Sequence, residues 1–99
     1  MTSVGRVERA IRRVEGFEVR IKYLQGSDVR SDRTRMPFWP YRVAAKDAWS
    51  VATWKLERFT PRYPGFVVDV LDAKRNRVRG QTRLRTVRES YQINGSRRY

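Results

Sequence analysis

Apolar residues recur at helical spacing at the start of the chain. Within residues 3–15 they are separated by three, four and three positions, as on the buried face of an amphipathic helix. This stripe consists of Val4, Val7, Ile11 and Val14. At about 100° per residue, the opposite face carries Arg6, Arg9 and Arg13. Gly16 follows where a helix commonly ends, so we predict an amino-terminal helix over residues 3–15.

Two segments have the patterns of β-strands. Residues 17–23, FEVRIKY, alternate apolar and polar side chains with the period of a half-buried strand. Residues 66–71, FVVDVL, form a short apolar run that is typical of a buried strand. The polar stretch that follows has the composition of a hairpin connection into a third strand, VRGQTRL, in which Gly80 predicts a bulge or kink.

A central helix is predicted from Asp47, a favourable N-cap residue, to Pro61, which ends it. Side chains at spacings of three, four and three predict the face that packs on the core. This face carries Trp49, Ala52, Leu56 and Phe59. The other side of the predicted helix carries Val51, Trp54 and Arg58.

The last helix is predicted from a capping box formed by Thr86 and Glu89. Apolar residues at helical spacing support it, namely Leu84, Val87 and Tyr91. Residues 93–99 are expected to form a flexible tail. We therefore expect a single α+β domain over residues 1–92, with a small, mainly antiparallel sheet, an N-terminal helix, a central helix and a short C-terminal helix.

Composition narrows the classes of protein. The 99 residues include 23 Lys and Arg against 10 Asp and Glu, which gives a net charge of +13. Because 39% of the residues are hydrophobic and three are Trp, the chain can form a core despite this charge. The absence of Cys and His excludes disulfides, zinc fingers and Ser-His-Asp triads. An anionic partner is therefore expected.

The preference for arginine has two explanations. Arginine presents a planar fork that grips phosphate in a bidentate way, which suits contact with nucleic acid. A genome rich in G and C also favours arginine codons without any selection for phosphate. Since codon bias accounts poorly for a net charge of +13, the charge rather than the arginine content indicates the partner.

The predicted hairpin has the highest density of positive charge. Residues 74–88 contain no acidic side chain. Their basic side chains are Lys74, Arg75, Arg77, Arg79, Arg83, Arg85 and Arg88. If Val78 and Leu84 face inward, the arginines beside them project outward from two adjacent strands as one patch. Such a patch favours phosphate, the alternative being a solvated hairpin whose charges keep copies of the chain apart.

A second candidate site lies in the long segment between the first strand and the central helix. It carries Arg30, Arg33 and Arg35, followed by the aromatic side chains Phe38, Trp39 and Tyr41 between two prolines. Exposed, these aromatic rings would stack with the bases of single-stranded nucleic acid or dock a protein partner. Buried, they would close one end of the small sheet, and we expect this for Trp39, with Phe38 or Tyr41 as its exposed neighbour.

Catalytic interpretations have weaker support. Asp72 and Lys74 match the final Asp-x-Lys element of a metal-dependent nuclease, with Asp47 upstream. Lys74 belongs to a polar turn, however, and Asp47 suits a helix cap, so we predict neither a metal nor a cofactor site. Small ribonucleases of the toxin type work with Arg, Lys and Tyr and have this size and charge, and they remain an alternative.

We therefore expect a non-catalytic nucleic-acid-binding protein, for DNA or RNA, that contacts phosphate through the Arg-rich hairpin, with the aromatic segment as an auxiliary contact. A rival interpretation is an adaptor or inhibitor that binds an acidic protein surface. No apolar run approaches the roughly 18 residues of a membrane span, so we expect a cytoplasmic protein without a membrane partner.

Overall fold

The computed structural model describes the backbone of residues 1–96 and the side chains of residues 1–92. The elements are helix α1 (Val4–Glu15), strand β1 (Glu18–Tyr23), helix α2 (Val51–Trp54) with a π-helical turn that continues it (Lys55–Phe59), strand β2 (Phe66–Leu71) and helix α3 (Leu84–Ser96). Over these residues the strands form a two-stranded antiparallel sheet. The predicted α+β class is confirmed.

Helix α1 forms as its sequence predicts. The Ser3 side chain caps the amino terminus by accepting a hydrogen bond from the Arg6 N–H at 3.3 Å. Gly16 ends the helix with a φ of 85°, the left-handed conformation that costs other residues steric strain, and its N–H donates to the Arg12 carbonyl. The apolar stripe lies against the core, and the arginine face remains in solvent.

The sheet pairs Val19 with Val70 and Ile21 with Val68, and these four side chains are buried on one face. Where the strands end, a side chain replaces the missing backbone pair. The Tyr91 hydroxyl of α3 accepts from the Glu18 N–H at 2.9 Å and donates to the Leu71 carbonyl at 2.6 Å. Helix α3 is thereby fastened to the end of the sheet.

The predicted third strand does not form. After β2, Asp72 Oδ1 accepts from the N–H groups of Lys74 and Asn76 and makes a tight turn. Pairing with β2 then stops after the bridge of Arg77 to Leu71 and the hydrogen bond from the Val78 N–H to the Val70 carbonyl.

The chain leaves the sheet because its backbone groups are used elsewhere. The carbonyls of Gly80 and Thr82 accept from the N–H groups of Ala52 and Val51, which lack partners within the first turn of α2. A Cβ on Gly80 would stand 3.2 Å from the Ala52 Cβ, so glycine permits this close approach. The segment that was predicted as a strand therefore serves as the cap of a helix.

The prediction for the central helix was wrong in its start and in part of its buried face. Ser50, not Asp47, is the N-cap, and its hydroxyl accepts from the Thr53 N–H at 3.1 Å. Val51 and Trp54, predicted on the other side, are buried, whereas Ala52 and Leu56, predicted inward, are exposed. Phe59 is buried as predicted. A π-helical turn, in which the Thr60 N–H donates to the Lys55 carbonyl, adds one residue and brings Phe59 to the same side as Val51 and Trp54.

Helix α3 also begins earlier than predicted. It starts at Leu84, so Thr86 lies within its first turn and does not cap it. The predicted inward side chains Leu84 and Val87 are buried. The backbone of residues 93–96, assigned to the predicted tail, is part of this helix, and residues 97–99 of that tail lie outside the described residues.

An aromatic cluster closes the core. Trp39 is 9% exposed and lies 5.7 Å from Trp54 and 6.3 Å from Tyr63, ring centre to ring centre. The Tyr63 hydroxyl donates to the Pro37 carbonyl at 2.9 Å and holds the proline-rich segment on this cluster. Burial of Trp39 with exposure of its neighbour Phe38 agrees with the expectation for this segment.

Truncation of the buried member of this aromatic pair should unfold the protein more readily. We expect Trp39→Ala to lower the free energy of unfolding by about 3 to 5 kcal/mol, because a large cavity replaces a packed indole. Phe38→Ala is the matched control and should change it by less than about 0.5 kcal/mol. Denaturant titration followed by circular dichroism measures both, and equal losses would contradict the assignment of Trp39 to the core.

Stability should also fall at alkaline pH. Burial raises the pKa of Tyr63 to about 12, whereas an unfolded tyrosine titrates near 10. Above about pH 10 the unfolded chain therefore binds fewer protons at Tyr63 than the folded protein, and the free energy of unfolding falls as pH rises. Unfolding titrations between pH 9 and 11 should show a steeper decline for the wild type than for Tyr63→Phe. Parallel declines would mean that Tyr63 ionises freely in the folded state.

Candidate nucleic-acid interface

The acidic side chains are largely occupied within the fold. Glu15, Asp28, Asp32, Asp47, Asp69 and Glu89 form ion pairs. Glu8 accepts from the Ile21 N–H at 2.9 Å, and Asp72 shapes the turn after β2. Most of the negative charge is therefore neutralised locally, which leaves many exposed arginines without an acidic neighbour.

Two arginines that the sequence pattern placed on the surface, Arg58 and Arg88, have structural roles instead. The Glu15 side chain is buried and accepts from Arg58 Nη1 at 2.6 Å, from Arg88 Nη2 at 3.3 Å and from the Ala45 N–H at 2.9 Å. Arg88 also donates to Asp47 Oδ1 at 2.7 Å and to the carbonyls of Glu15 and Ala45. Arg88 was assigned to the binding patch. This assignment was wrong because its largely buried guanidinium already donates hydrogen bonds to Glu15, Ala45 and Asp47.

The rest of the predicted hairpin patch is divided in two. Arg83 donates to the Ala48 carbonyl, and Arg85 pairs along α3 with Glu89 at 3.6 Å. The other four lie exposed on the turn after β2, and within the described residues none of them forms an ion pair. These are Lys74, Arg75, Arg77 and Arg79. A single outward patch on two strands was therefore wrong, because residues after 78 turn away from the sheet.

The residues of the second candidate site also separate. Arg30 pairs with Asp32 at 3.1 Å, and Arg33 covers the Phe66 ring at 5.1 Å. Arg35 is exposed with a φ of 66°. Tyr41 is half-buried between the Trp39 ring and the Arg58 guanidinium, 4.2 Å away.

Phe38 is the aromatic side chain of this segment that solvent reaches most, at 64%.

The arginine face of α1, formed by Arg6, Arg9 and Arg13, is exposed to solvent. A groove on each side flanks it, and Arg9 lines both. The first, which we call the Arg75 groove, has a volume of about 240 Å³ and is also lined by Arg12, Arg20 and Arg75. The second, the Phe38 groove, has a volume of about 470 Å³ and is also lined by Arg6, Arg13 and Phe38. Arginine side chains therefore line the grooves on both sides of this helix face.

The two grooves differ in their acidic content. Glu8 and Glu18 line the Arg75 groove, and burial raises the pKa of Glu8 despite the hydrogen bond from the Ile21 N–H. Among the side chains that the structure describes, none that lines the Phe38 groove is acidic. A phosphate in the Phe38 groove would therefore meet arginine without a competing carboxylate, which makes this groove the better anion site.

The sequence pattern predicted the arginine stripe of α1, because the stripe follows from helical spacing. What the pattern lacked was the position of Phe38 beside that stripe. A long-range contact provides it: Thr2 and Met36 exchange backbone hydrogen bonds at 2.8 Å in both directions. Pairing between segments so far apart in sequence leaves no local periodicity.

Asp72, the acidic residue of the Asp-x-Lys element, has a structural role because its carboxylate organises the turn. Within residues 1–96, three acidic side chains do not come together in a way that could hold a metal ion. In the same part of the chain, helices long and apolar enough to cross a membrane are absent.

Comparison with known proteins gives no relative: no family model, curated protein or solved structure matches this chain. Its function must therefore be inferred from the chemistry of the grooves themselves.

The buried ion cluster should be far more sensitive to substitution than the exposed pair on α3. We expect Arg88→Gln to lower the free energy of unfolding by about 3 to 5 kcal/mol, because it leaves the Glu15 carboxylate buried with one cation fewer. Arg85→Gln removes the same charge from the same helix and should cost less than about 1 kcal/mol. Thermal and denaturant unfolding of the two variants measures the difference, and similar stabilities would show that the cluster contributes little.

Proposed function

We propose that the protein is a non-catalytic nucleic-acid-binding protein whose principal contact surface is the arginine face of α1. One observation carries this proposal: Arg6, Arg9 and Arg13 line a groove to which no carboxylate of residues 1–92 contributes, and which adjoins an exposed aromatic ring. Guanidinium groups so placed repel one another unless an anion lies among them. A cytoplasmic location, where DNA and RNA are abundant, belongs to the same proposal.

Phosphate suits this surface for two reasons. The planar guanidinium fork donates two parallel hydrogen bonds to a phosphate, and each neutralised phosphate releases condensed counterions. The exposed turn after β2 extends the surface, because Arg75 lines the groove on the far side of α1. A polyanion that crosses the arginine face of α1 would therefore reach cations from both ends of the chain.

Two of the five tyrosines, Tyr63 and Tyr91, have hydroxyls that serve the fold. Burial raises the pKa of Tyr63 and of Tyr91, so neither is tuned toward the neutral range where a general base works best. Both hydroxyls are also engaged, with the Pro37 carbonyl and with the end of the sheet. These groups therefore stabilise the fold and are poorly suited to take a proton from a ribose hydroxyl.

Removal of the α1 arginines should weaken binding and make its salt dependence shallower. We expect the triple variant Arg6→Gln, Arg9→Gln and Arg13→Gln to make the slope of log affinity against log salt shallower by about two to three, since each lost phosphate contact removes a little under one. Fluorescence anisotropy with a labelled oligonucleotide at several salt concentrations measures this slope.

The matched control removes three exposed charges that line neither groove: Arg42→Gln, Lys46→Gln and Arg62→Gln. It has the same net charge as the α1 variant and should keep most of the affinity. Equal losses in both variants would reduce the interaction to net charge alone. If polyglutamate competes as well as the oligonucleotide, an acidic protein surface becomes the better assignment of the partner.

A further inference from the structure

We infer that the Phe38 groove binds single-stranded nucleic acid, with one base stacked on the Phe38 ring and the neighbouring phosphates held by Arg6, Arg9 and Arg13. This inference rests on the proposed function and deepens it. A duplex keeps its base faces stacked inside the helix, so an exposed phenyl ring beside phosphate-binding arginines stacks on a base most readily when the bases are unpaired.

The side chain of Phe38 is exposed, while the residues on both sides of it are held by contacts with the core. The residues on both sides of it are fixed: the Pro37 carbonyl accepts from Tyr63, and Trp39 is packed in the aromatic cluster. Met36 is paired with Thr2 just before α1 begins. The phenyl ring is therefore presented to solvent from a backbone that is tied both to the core and to the helix carrying the arginines. A ring held in this way loses little further entropy when a base stacks on it.

The ring and the arginines are placed for consecutive parts of a nucleotide chain. Arg6, Arg9 and Arg13 are three and four residues apart, so they follow one another along the same side of α1 at rises of about 4.5 and 6 Å. Phe38 and Trp39 form the opposite wall of the groove. A single strand lying in the groove would thus place its phosphates on the helix side and a base on the aromatic side.

Insertion of α1 into a duplex groove is disfavoured by the way its amino terminus is covered. Helices that read the major groove present their first residues to the base edges. Here the N–H groups of Val4 and Gly5 donate to the carbonyls of Arg33 and Ser31, each at 2.8 Å. A Cβ at Gly5 would approach the Ser31 carbonyl oxygen to 3.2 Å. The loop therefore blocks the end of the helix and leaves its side for contact with a flexible strand.

The site should accept single strands of many sequences, of DNA as well as of RNA. Stacking on a phenyl ring and ion pairing with phosphate use features common to all nucleotides. The experiment therefore compares single-stranded DNA, single-stranded RNA and duplex DNA of one sequence, using wild type and variants at Phe38.

We expect the wild type to bind either single strand at least tenfold more tightly than the duplex at equal salt. Phe38→Ala should weaken single-strand binding by roughly tenfold or more and leave duplex binding unchanged, because only the stacked base is lost. Phe38→Trp should restore tight binding, and fluorescence quenching beyond that of the wild type, which has three Trp of its own, should report the stacked base.

Leu56→Ala is the control. The Leu56 side chain is 68% exposed, close to the 64% of Phe38, and it does not line the groove. Its affinities should match those of the wild type, and unchanged thermal unfolding should show that the Phe38 variants are folded. Equal affinity for single strand and duplex, with Phe38→Ala indistinguishable from wild type, would overturn the single-strand inference and leave the proposed function standing. Absence of wild-type binding to every oligonucleotide at low salt would overturn both.

Discussion

The fold depends on a buried carboxylate, that of Glu15, which is 1% exposed at the end of α1. Its two oxygens accept hydrogen bonds from Arg58 next to α2, from Arg88 on α3 and from the backbone of Ala45. One side chain therefore joins three helices to a loop that has no regular structure of its own. Because burial of charge is costly, such a cluster tolerates only an arrangement in which every donor and acceptor is matched. We interpret it as the feature that selects this arrangement of helices over other packings of the same apolar faces.

The arginines of this cluster also show how the basic side chains of the protein are divided. The basic side chains fall into two groups, those whose guanidinium is enclosed by carboxylates and aromatic rings and those that are left in solvent. Arg58 belongs to the first group, with its guanidinium against both Glu15 and the Tyr41 ring. The α1 arginines belong to the second. Glu15 and Asp47 pair with the enclosed arginines, and three further acids, Asp28, Asp32 and Glu89, pair with arginines in solvent. Among the described residues, Arg6, Arg9 and Arg13 form no ion pair, so their positive charge is not offset by a bound carboxylate.

Local pattern was sufficient where an element satisfies its own backbone. The periodicity of α1, the Gly16 cap at its end and the alternation of β1 all predicted what the structure contains. It failed where one segment completes another. Residues 80–82 have the composition of a strand, yet the carbonyls of Gly80 and Thr82 accept from α2. The π-helical turn after α2 puts Phe59 on the same side as Val51 and Trp54, which regular helical spacing had assigned to the opposite face. The same limit applied to the site. The arginine stripe was evident from spacing, whereas the role of Arg88 depended on Glu15, an acid 73 positions away that continues the apolar stripe of α1.

The two-stranded sheet has a consequence for how the protein meets other molecules. Along the outer side of β1, the Ile21 N–H is held by Glu8 and its carbonyl by the Val29 N–H, and along the outer side of β2 the Val70 carbonyl is held by Val78. Backbone groups on both margins are thus already occupied by short local segments. An extended peptide, or a second copy of the chain, could add a strand to the sheet only by displacing these segments. Recognition is left to side chains, and a surface that recognises through side chains can change its ligand by substitution without any change in the backbone beneath it.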